Sequence, residues 1–422
     1  PDTGPFFINK NLTILGGFSG TETTADQADP LINPTILSGD INGDDDPDNV
    51  QFNRGDNLPI MRVDSLLDLV TIQNLTFSGG QLGITPPDEN IEPFSGSSIR
   101  SFSTLNLSDC IFTNNSADFG AAVALFNAPN SVIRNVSASN NFASSRGVVF
   151  AIVCDNLLVT NVTISDNLVD FGSIHIEESF NATVDSSLFE NNLALNRGSA
   201  VSFLFSPGMR LTNTIINNTD CAVAGIGGAL SLVGRNGDSR PADINESLIE
   251  NCEFHNNTGR LGGAGVILAA NALVRNTNLS ENTAFALGGG FTIVNTDTDL
   301  TTNPQDKLIR FENCTIEENT VTGSPFYGAG LYLEEAYSLE VDSCVFNDNG
   351  GDGHEIGGGI MMIGDAIGSG LGQNVTITET EFARNQSPGL LSGQGGALFV
   401  QSANGSINLN VANSRFQNNT AS

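Results

Sequence analysis

Residues Cys252–Leu268 read CEFHNNTGRLGGAGVIL, and the same cadence returns along the chain. Cys344 opens CVFNDNGG with GGGIMMI behind it, Cys110 opens CIFTNNSADFGAAVAL, and Phe416–Asn419 repeat it as FQNN. With position zero set at the apolar residue of each F-x-x-N unit, the series is Phe77, Phe112, Ala138, Ile164, Phe189, Ile216, Phe254, Leu279, Ile316, Phe346, Phe382 and Phe416, spaced by 25 to 38 residues. Self-similarity at that period is the mark of a solenoid, in which the longer intervals hold insertions.

The columns of the repeat say what each position requires. Three residues after zero stand Asn115, Asn141, Asn167, Asn192, Asn257, Asn282, Asn319, Asn349, Asn385 and Asn419, with Gly80 and Thr219 departing. Three residues before zero stand Asn74, Asn135, Asn161, Asn213, Asn251, Asn276, Asn313 and Asn413, with Asp109, Ser186, Ser343 and Glu379 completing the column. Asn tolerates left-handed backbone angles, and its amide both donates and accepts, so a stacked column can bond to itself while the chain bends. Both columns are therefore read as corners.

Between the corners, positions zero and minus two are apolar or small while minus one is mixed, which is the alternation of a short strand with one buried face. Further on a Gly introduces another apolar run, as in GAAVAL from Gly120, GSIHI from Gly172, GGALSL from Gly227 and GGALFV from Gly395. Gly permits a sharp turn and close backbone approach there. A third strand, such as LEV from Leu339, leads into the Asn corner. The expected fold is all-β: a right-handed parallel β-helix of about twelve coils with three short strands per coil. Residues 1–60 are expected to form a divergent amino-terminal coil or cap carrying an acidic loop. Residues 61–422 are expected to form the repeat domain, continuing past residue 422 in a longer natural protein.

The C-x-F-x-x-N unit followed by G-G-A-[ILV], from about Phe77 to Ser422, resembles the repeats of the polymorphic outer-membrane-protein family and related β-helix adhesins of the pectate-lyase-like superfamily. The opening NLTILGGFSGTE with NPTILSGD resembles the amino-terminal coil of large secreted surface proteins from marine bacteria. The resemblance implies a bacterial surface adhesin, but a fold hosts many functions.

Forty-seven acidic residues against 16 Lys and Arg give a net charge of −31. Such a surface repels phosphate backbones and anionic lipid, which argues against nucleic-acid or membrane-surface partners. No run of the chain approaches the ~18 apolar residues of a membrane helix.

Several motifs could carry chemistry. DINGDDDPDN places Asp40, Asn42, Asp44, Asp46 and Asp48 at alternate positions, oxygen ligands that suit a hard cation such as Ca2+. The spacing is not that of an EF-hand, and a solvated acidic turn is the plain alternative. Arg54–Asp56 spell RGD, a tripeptide that chance also supplies. Cys110, Cys252, Cys314 and Cys344 share position minus two and are read as free, buried core thiols, with a Cys314–Cys344 bridge between neighbouring coils as the alternative, disfavoured because both side chains point the same way.

A polysaccharide lyase or glycoside hydrolase of this superfamily is the rival class. Asn218–Asp220 spell the NTD of polygalacturonases and Gly353–His354 a GH, yet the pieces lie about five coils apart, whereas paired catalytic carboxylates must lie within ~10 Å. His175, His255 and His354 form no evident catalytic set. Of sixteen N-x-S/T sequons most fall on the ladders, and Asn11, Asn181, Asn374 and Asn404 stand off them. Insertions recur at two repeat positions, which in a solenoid places them along two edges.

These readings converge on an extracellular structural or adhesive surface protein without a catalytic site or an organic cofactor. It is expected at the outer cell surface. Its expected partners are surface glycans, other surface proteins or copies of itself, the last making it a possible filament protomer.

Overall fold

The computed structural model describes residues 4–46, 49–50, 57–65, 67–81, 96–221, 225–234, 246–295, 307–323, 326–334, 338–350, 355–364, 373–388, 394–402 and 406–421. Contacts divide the chain into two compact units, residues 1–194 and 195–422. Both are built from short parallel strands, and the fold is a right-handed parallel β-helix.

Residues 120–143 show how one coil follows from sequence. The coil turns at Gly120, at φ +60°, where only glycine fits because an added Cβ would run into the carbonyl of Val123. The strand Val123–Phe126 follows, with Val123 and Leu125 fully buried. Asn127, at φ +48°, turns the chain toward Val132–Arg134. Asn135, at φ +53°, turns it again into Ser137–Ser139, and Asn140, at φ +54°, turns it into Phe142–Ala143. Asn and Gly supply these left-handed residues at least steric cost.

In the amino-terminal unit the first sheet stacks six such strands from Phe6–Ile8 to Ile174–Glu177. The second runs from Leu12–Leu15 to Thr183–Asp185, and the third from Thr35–Ser38 to Leu188–Glu190. Residues 1–60 thus give one strand to each sheet: Phe6 pairs with Met61, Leu12 with Val70 and Leu37 with Phe77. In the carboxy-terminal unit each of the three sheets stacks seven strands, ending in Leu398–Ser402, Ile407–Ala412 and Arg415–Gln417.

All twelve position-zero residues lie in the third sheet, and in-register pairs such as Phe112 with Ala138 and Phe254 with Leu279 confirm the repeat alignment. Their side chains stack inward: Phe77 on Phe112 at 4.9 Å and Phe346 on Phe382 at 4.8 Å between ring centroids. Each offset-stacked pair adds ~0.5–1.5 kcal/mol to area burial.

The structure adds a fourth short strand after the Asn corner, formed by Ser116–Ala117, Phe142–Ala143 and Leu168–Phe171 in the first unit. Thr258–Leu261 and Thr283–Leu287 are its counterparts in the second. The strand's length varies from coil to coil and its register shifts between Gly259 and Leu261, so it leaves no constant column for a sequence pattern to reveal.

The two Asn columns also divide their work differently from the expectation that both bend the chain. The left-handed residue of the corner after the third strand is at plus two: Asn114, Asn140, Asp166, Asn191, Asn218 and Asn256, then Glu281, Glu318, Asp348, Arg384 and Asn418. The plus-three Asn are not among the positive-φ residues. They are buried and hydrogen-bond from coil to coil. Asn115 Nδ2 donates to Asn141 Oδ1 at 3.0 Å, Asn141 to Asn167 at 3.0 Å and Asn167 to Asn192 at 2.9 Å. The remaining Nδ2 hydrogen of Asn141 reaches the carbonyl of Phe112 at 3.1 Å, and Asn167 Oδ1 also accepts the backbone N–H of Asn141 at 2.9 Å. The second unit repeats this from Asn257 through Asn282, Asn319, Asn349 and Asn385 to Asn419.

All six cysteines are free and buried. Burial pushes the thiols of Cys110 and Cys154 up to about 12 and about 11. The backbone N–H of Cys314 points at Cys344 Sγ at 3.4 Å across neighbouring coils.

Candidate functional site

The acidic loop folds beside the first coil. Asp40 stands two residues past the strand Thr35–Ser38, with Gly39 between, so the third sheet places it. Its Oδ1 accepts the Gly43 N–H at 2.7 Å, and Asn42 Oδ1 accepts the Asp44 N–H at 3.2 Å, which closes the turn. Asp40, Asp44 and Asp45 present carboxylate oxygens within 4.8 Å of one another. Asn57 Nδ2 bridges Asp45 Oδ2 at 2.6 Å and the Gly79 carbonyl at 3.0 Å, tying the loop to the next coil.

Of the residues picked from the alternate spacing, Asp40 and Asp44 therefore converge. Asn42 serves the turn, Asp46 accepts from Asn49 Nδ2 at 2.6 Å, and Asp48 lies outside the described residues. Asp45 joins the cluster although the alternation passes over it. In a turn, unlike a strand, side chains need not keep a period of two, so adjacent residues such as Asp44 and Asp45 can face one point. Clustered carboxylate oxygens suit a hard cation. The RGD tripeptide, Arg54–Asp56, lies outside the described residues.

A second cluster covers the outward side of the first sheet in the amino-terminal unit. Strand register lines up Arg62, Arg100, Ala124, Phe150 and His175 in one row. Arg100 is 4.8 Å from the Phe102 ring centroid and 5.3 Å from that of Phe126, while Arg146 is 4.6 Å from Phe171 and 5.9 Å from Phe119. His175 stacks on Phe150 at 5.9 Å and meets the edge of Phe171 at 5.5 Å. Its Nε2 lies 3.6 Å from Glu177 Oε2, and Arg146 Nε lies 3.7 Å from the same oxygen. The His175 contact, reinforced by Arg146, holds the Glu177 carboxyl below its ordinary value. Cation–π contacts that are partly desolvated contribute ~1–2 kcal/mol each. Sequence reading missed this row; its only signal is that the middle residue of the Gly-led strand is Arg, Phe or His where a solvent-facing residue is expected.

The row arranges a base, an acid and a cation, but His175 has no exposed surface at all. A polymer in solvent cannot reach its imidazole. The Arg146 guanidinium is paired with Glu177 and lies over the rings of Phe171 and Phe119.

The remaining enzyme-like motif belongs to the stack. Asn218 is a left-handed corner at φ +50°, and Thr219 Oγ1 donates to Asn257 Oδ1 at 2.8 Å in the ladder. His255 Nδ1 is 3.2 Å from Ser280 Oγ on the outer side of the third sheet, and His354 lies outside the described residues. In the carboxy-terminal unit Arg275 pairs with Glu250 at 2.7 Å, Arg310 with Glu246 at 2.6 Å and Arg384 with Asp348 at 2.7 Å, so scarce cations neutralise outward carboxylates. Most of the long insertions lie outside the described residues.

Comparison with known proteins agrees on fold. Residues 303–422 match the family model described as a right handed beta helix region. No curated protein matches the chain. Among solved structures, the A-module of the mannuronan C-5 epimerase AlgE6 of Azotobacter vinelandii aligns over 92% of this chain and 88% of its own. Its TM-score is 0.39 at 11% sequence identity. The family-model match over residues 303–422 is to a β-helix architecture, the one the strand topology shows.

Proposed function

We propose that this chain is an extracellular structural or adhesive module of a cell surface, whose β-helix holds loops at fixed spacing for attachment to surface glycans or proteins. The observation that carries this reading is what the polar side chains do. Among the described residues, Asn141 and Thr219 are engaged in the ladder, His175 in the aromatic row and Arg310 in an ion pair. The acidic surface suits a saline medium, where charge repulsion is screened beyond ~10 Å.

In the same reading Asp40, Asp44 and Asp45 hold a hard divalent cation, Ca2+ by its preference for several carboxylate oxygens. The cation would tie the amino-terminal loop to the coil behind it through Asp45 and Asn57.

The test is to incubate the purified chain with a panel of polysaccharides, with calcium and then with chelator, measuring both retention and polymer length. Retention without shortening is expected. Shortened chains, or unsaturated or epimerised sugar products, would establish the enzyme reading instead.

A further inference from the structure

The sequence contains four Asn-Gly pairs, of which Asn42-Gly43 and Asn349-Gly350 lie among the described residues. The two are chemically identical and structurally opposite. Asn349 is fully buried: its Nδ2 donates to the Ile316 carbonyl at 2.7 Å and to Asn385 Oδ1 at 2.9 Å, and its Oδ1 accepts from Asn319. Asn42 and Gly43 are exposed, and a Cβ added at Gly43 would meet nothing within 4 Å.

The Asn42 turn also sets up a reaction. Deamidation of Asn begins when the next residue's backbone nitrogen attacks the side-chain carbonyl carbon. Here Asp40 Oδ1 accepts the Gly43 N–H at 2.7 Å, so a carboxylate is in place to take the proton from the nucleophile. The Asp44 N–H donates to Asn42 Oδ1 at 3.2 Å, so a backbone donor faces the oxygen on which negative charge develops. Gly43, at φ +75°, has no Cβ to obstruct the approach.

We infer that Asn42 is a built-in deamidation site at which the loop converts its own amide to a carboxylate. The Gly43 nitrogen bonds to Asn42 Cγ and gives its proton to Asp40. The Cγ–Nδ2 bond breaks, and the leaving amine takes that proton and departs as ammonia. Water then opens the succinimide at either carbonyl, leaving aspartate or isoaspartate at position 42. The product adds one negative charge beside Asp40, Asp44 and Asp45, and the isoaspartate form lengthens the loop backbone by one atom.

The experiment incubates the folded protein at neutral pH, samples it over days and quantifies the amide and acid forms of the peptides holding Asn42 and Asn349 by mass spectrometry. Conversion at Asn42 is expected about tenfold or more ahead of Asn349. In urea the two sites should converge, and Asp40→Asn should slow Asn42 about tenfold in the folded protein. Equal rates at the two sites in the folded protein, or an unchanged rate in Asp40→Asn, would overturn the inference. A lead of Asn42 that persists in urea would also overturn it, because the local fold would then have no part. Calcium added to the folded protein should protect Asn42 by occupying the Asp40 carboxylate, an arm that rests on the cation reading. Deamidation that proceeds equally fast with calcium would sink that reading and leave the site intact.

Discussion

The plus-three and minus-three columns are both rows of Asn repeated once per coil, and they hold the molecule together in opposite ways. Asn141 is 2% exposed and all its amide hydrogens are bonded, to a neighbouring Asn and to backbone carbonyls. Asn135 is exposed, adopts φ +53° and meets its column neighbours through its side chain alone, donating to Asp109 at 2.9 Å and accepting from Asn161 at 2.8 Å. One column is kept for a hydrogen-bond network in a low-dielectric interior, the other for a backbone angle at the surface. The substitutions within each column agree: Ser186, Ser343 and Glu379 stand in the surface column, whereas the interior one departs only to Gly80 and Thr219.

The largest effect should therefore come from Asn141→Leu. It removes a buried donor and acceptor, and strands partners on both adjacent coils, costing about 3 kcal/mol in denaturant unfolding. A loss near zero would mean that the network can be replaced by apolar packing. Next is Asn135→Val, which forces a β-branched residue into the left-handed region at a cost of about 1–2 kcal/mol. The companion change Asn135→Gly keeps the angle and loses only exposed hydrogen bonds, so the same unfolding curve should move by less than about 0.5 kcal/mol.

The buried thiols sharpen the contrast without mutation. With thiols pushed up to about 12 and about 11 by burial, Cys110 and Cys154 should resist alkylation in the folded protein near pH 8 and react on unfolding, as counted by mass spectrometry. The sign of the pH effect follows. A thiol whose folded value is raised contributes its full stability below the ordinary value of 9.0 and loses it as pH rises from there toward 11–12. Unfolding midpoints should accordingly fall in mild alkali. At the other extreme Glu22 is held at about 2 by the Ser19 N–H, its own N–H and the Ser19 hydroxyl, so its carboxyl should stay ionised in an NMR titration well below the usual range.

The outward faces of the first sheet offer a second contrast. Between residues 62 and 175 its middle row is Arg62, Arg100, Ala124, Phe150 and His175, whereas in the other unit it is Ser202, Ser231, Val266, Thr292, Tyr332 and Met361. Nearly all of these are buried in both units although they point away from the core. In the second unit an apolar cluster of Val233, Val266 and Leu268, packed by Ile226 and Leu261, fills the same place that cations and rings fill in the first.

This pattern marks the limit of what the sequence could say. Period, coil order, the third-sheet register and the buried thiols were legible because each coil repeats one constraint in one column. The fourth strand varies between two and five residues and keeps no constant column. The left-handed role of plus two was hidden because Asn, Asp, Glu and Arg share that column, and only backbone geometry unites them. The acidic loop was half legible: Asp40 and Asp44 meet as the spacing suggests, while Asp45 enters through a turn that periodicity cannot describe.

The most direct test of the account is hydrogen exchange at the Asn side-chain amides, followed by NMR in the folded protein with Asn selectively labelled. The Nδ2 hydrogens of Asn141, Asn167, Asn282 and Asn319 should exchange orders of magnitude more slowly than those of Asn135, Asn161 and Asn251, because both sets bond from coil to coil but only the former are buried. Equal, rapid exchange in both columns would contradict the ladder and, with it, the claim that these polar residues are held in the stack and are not available for chemistry.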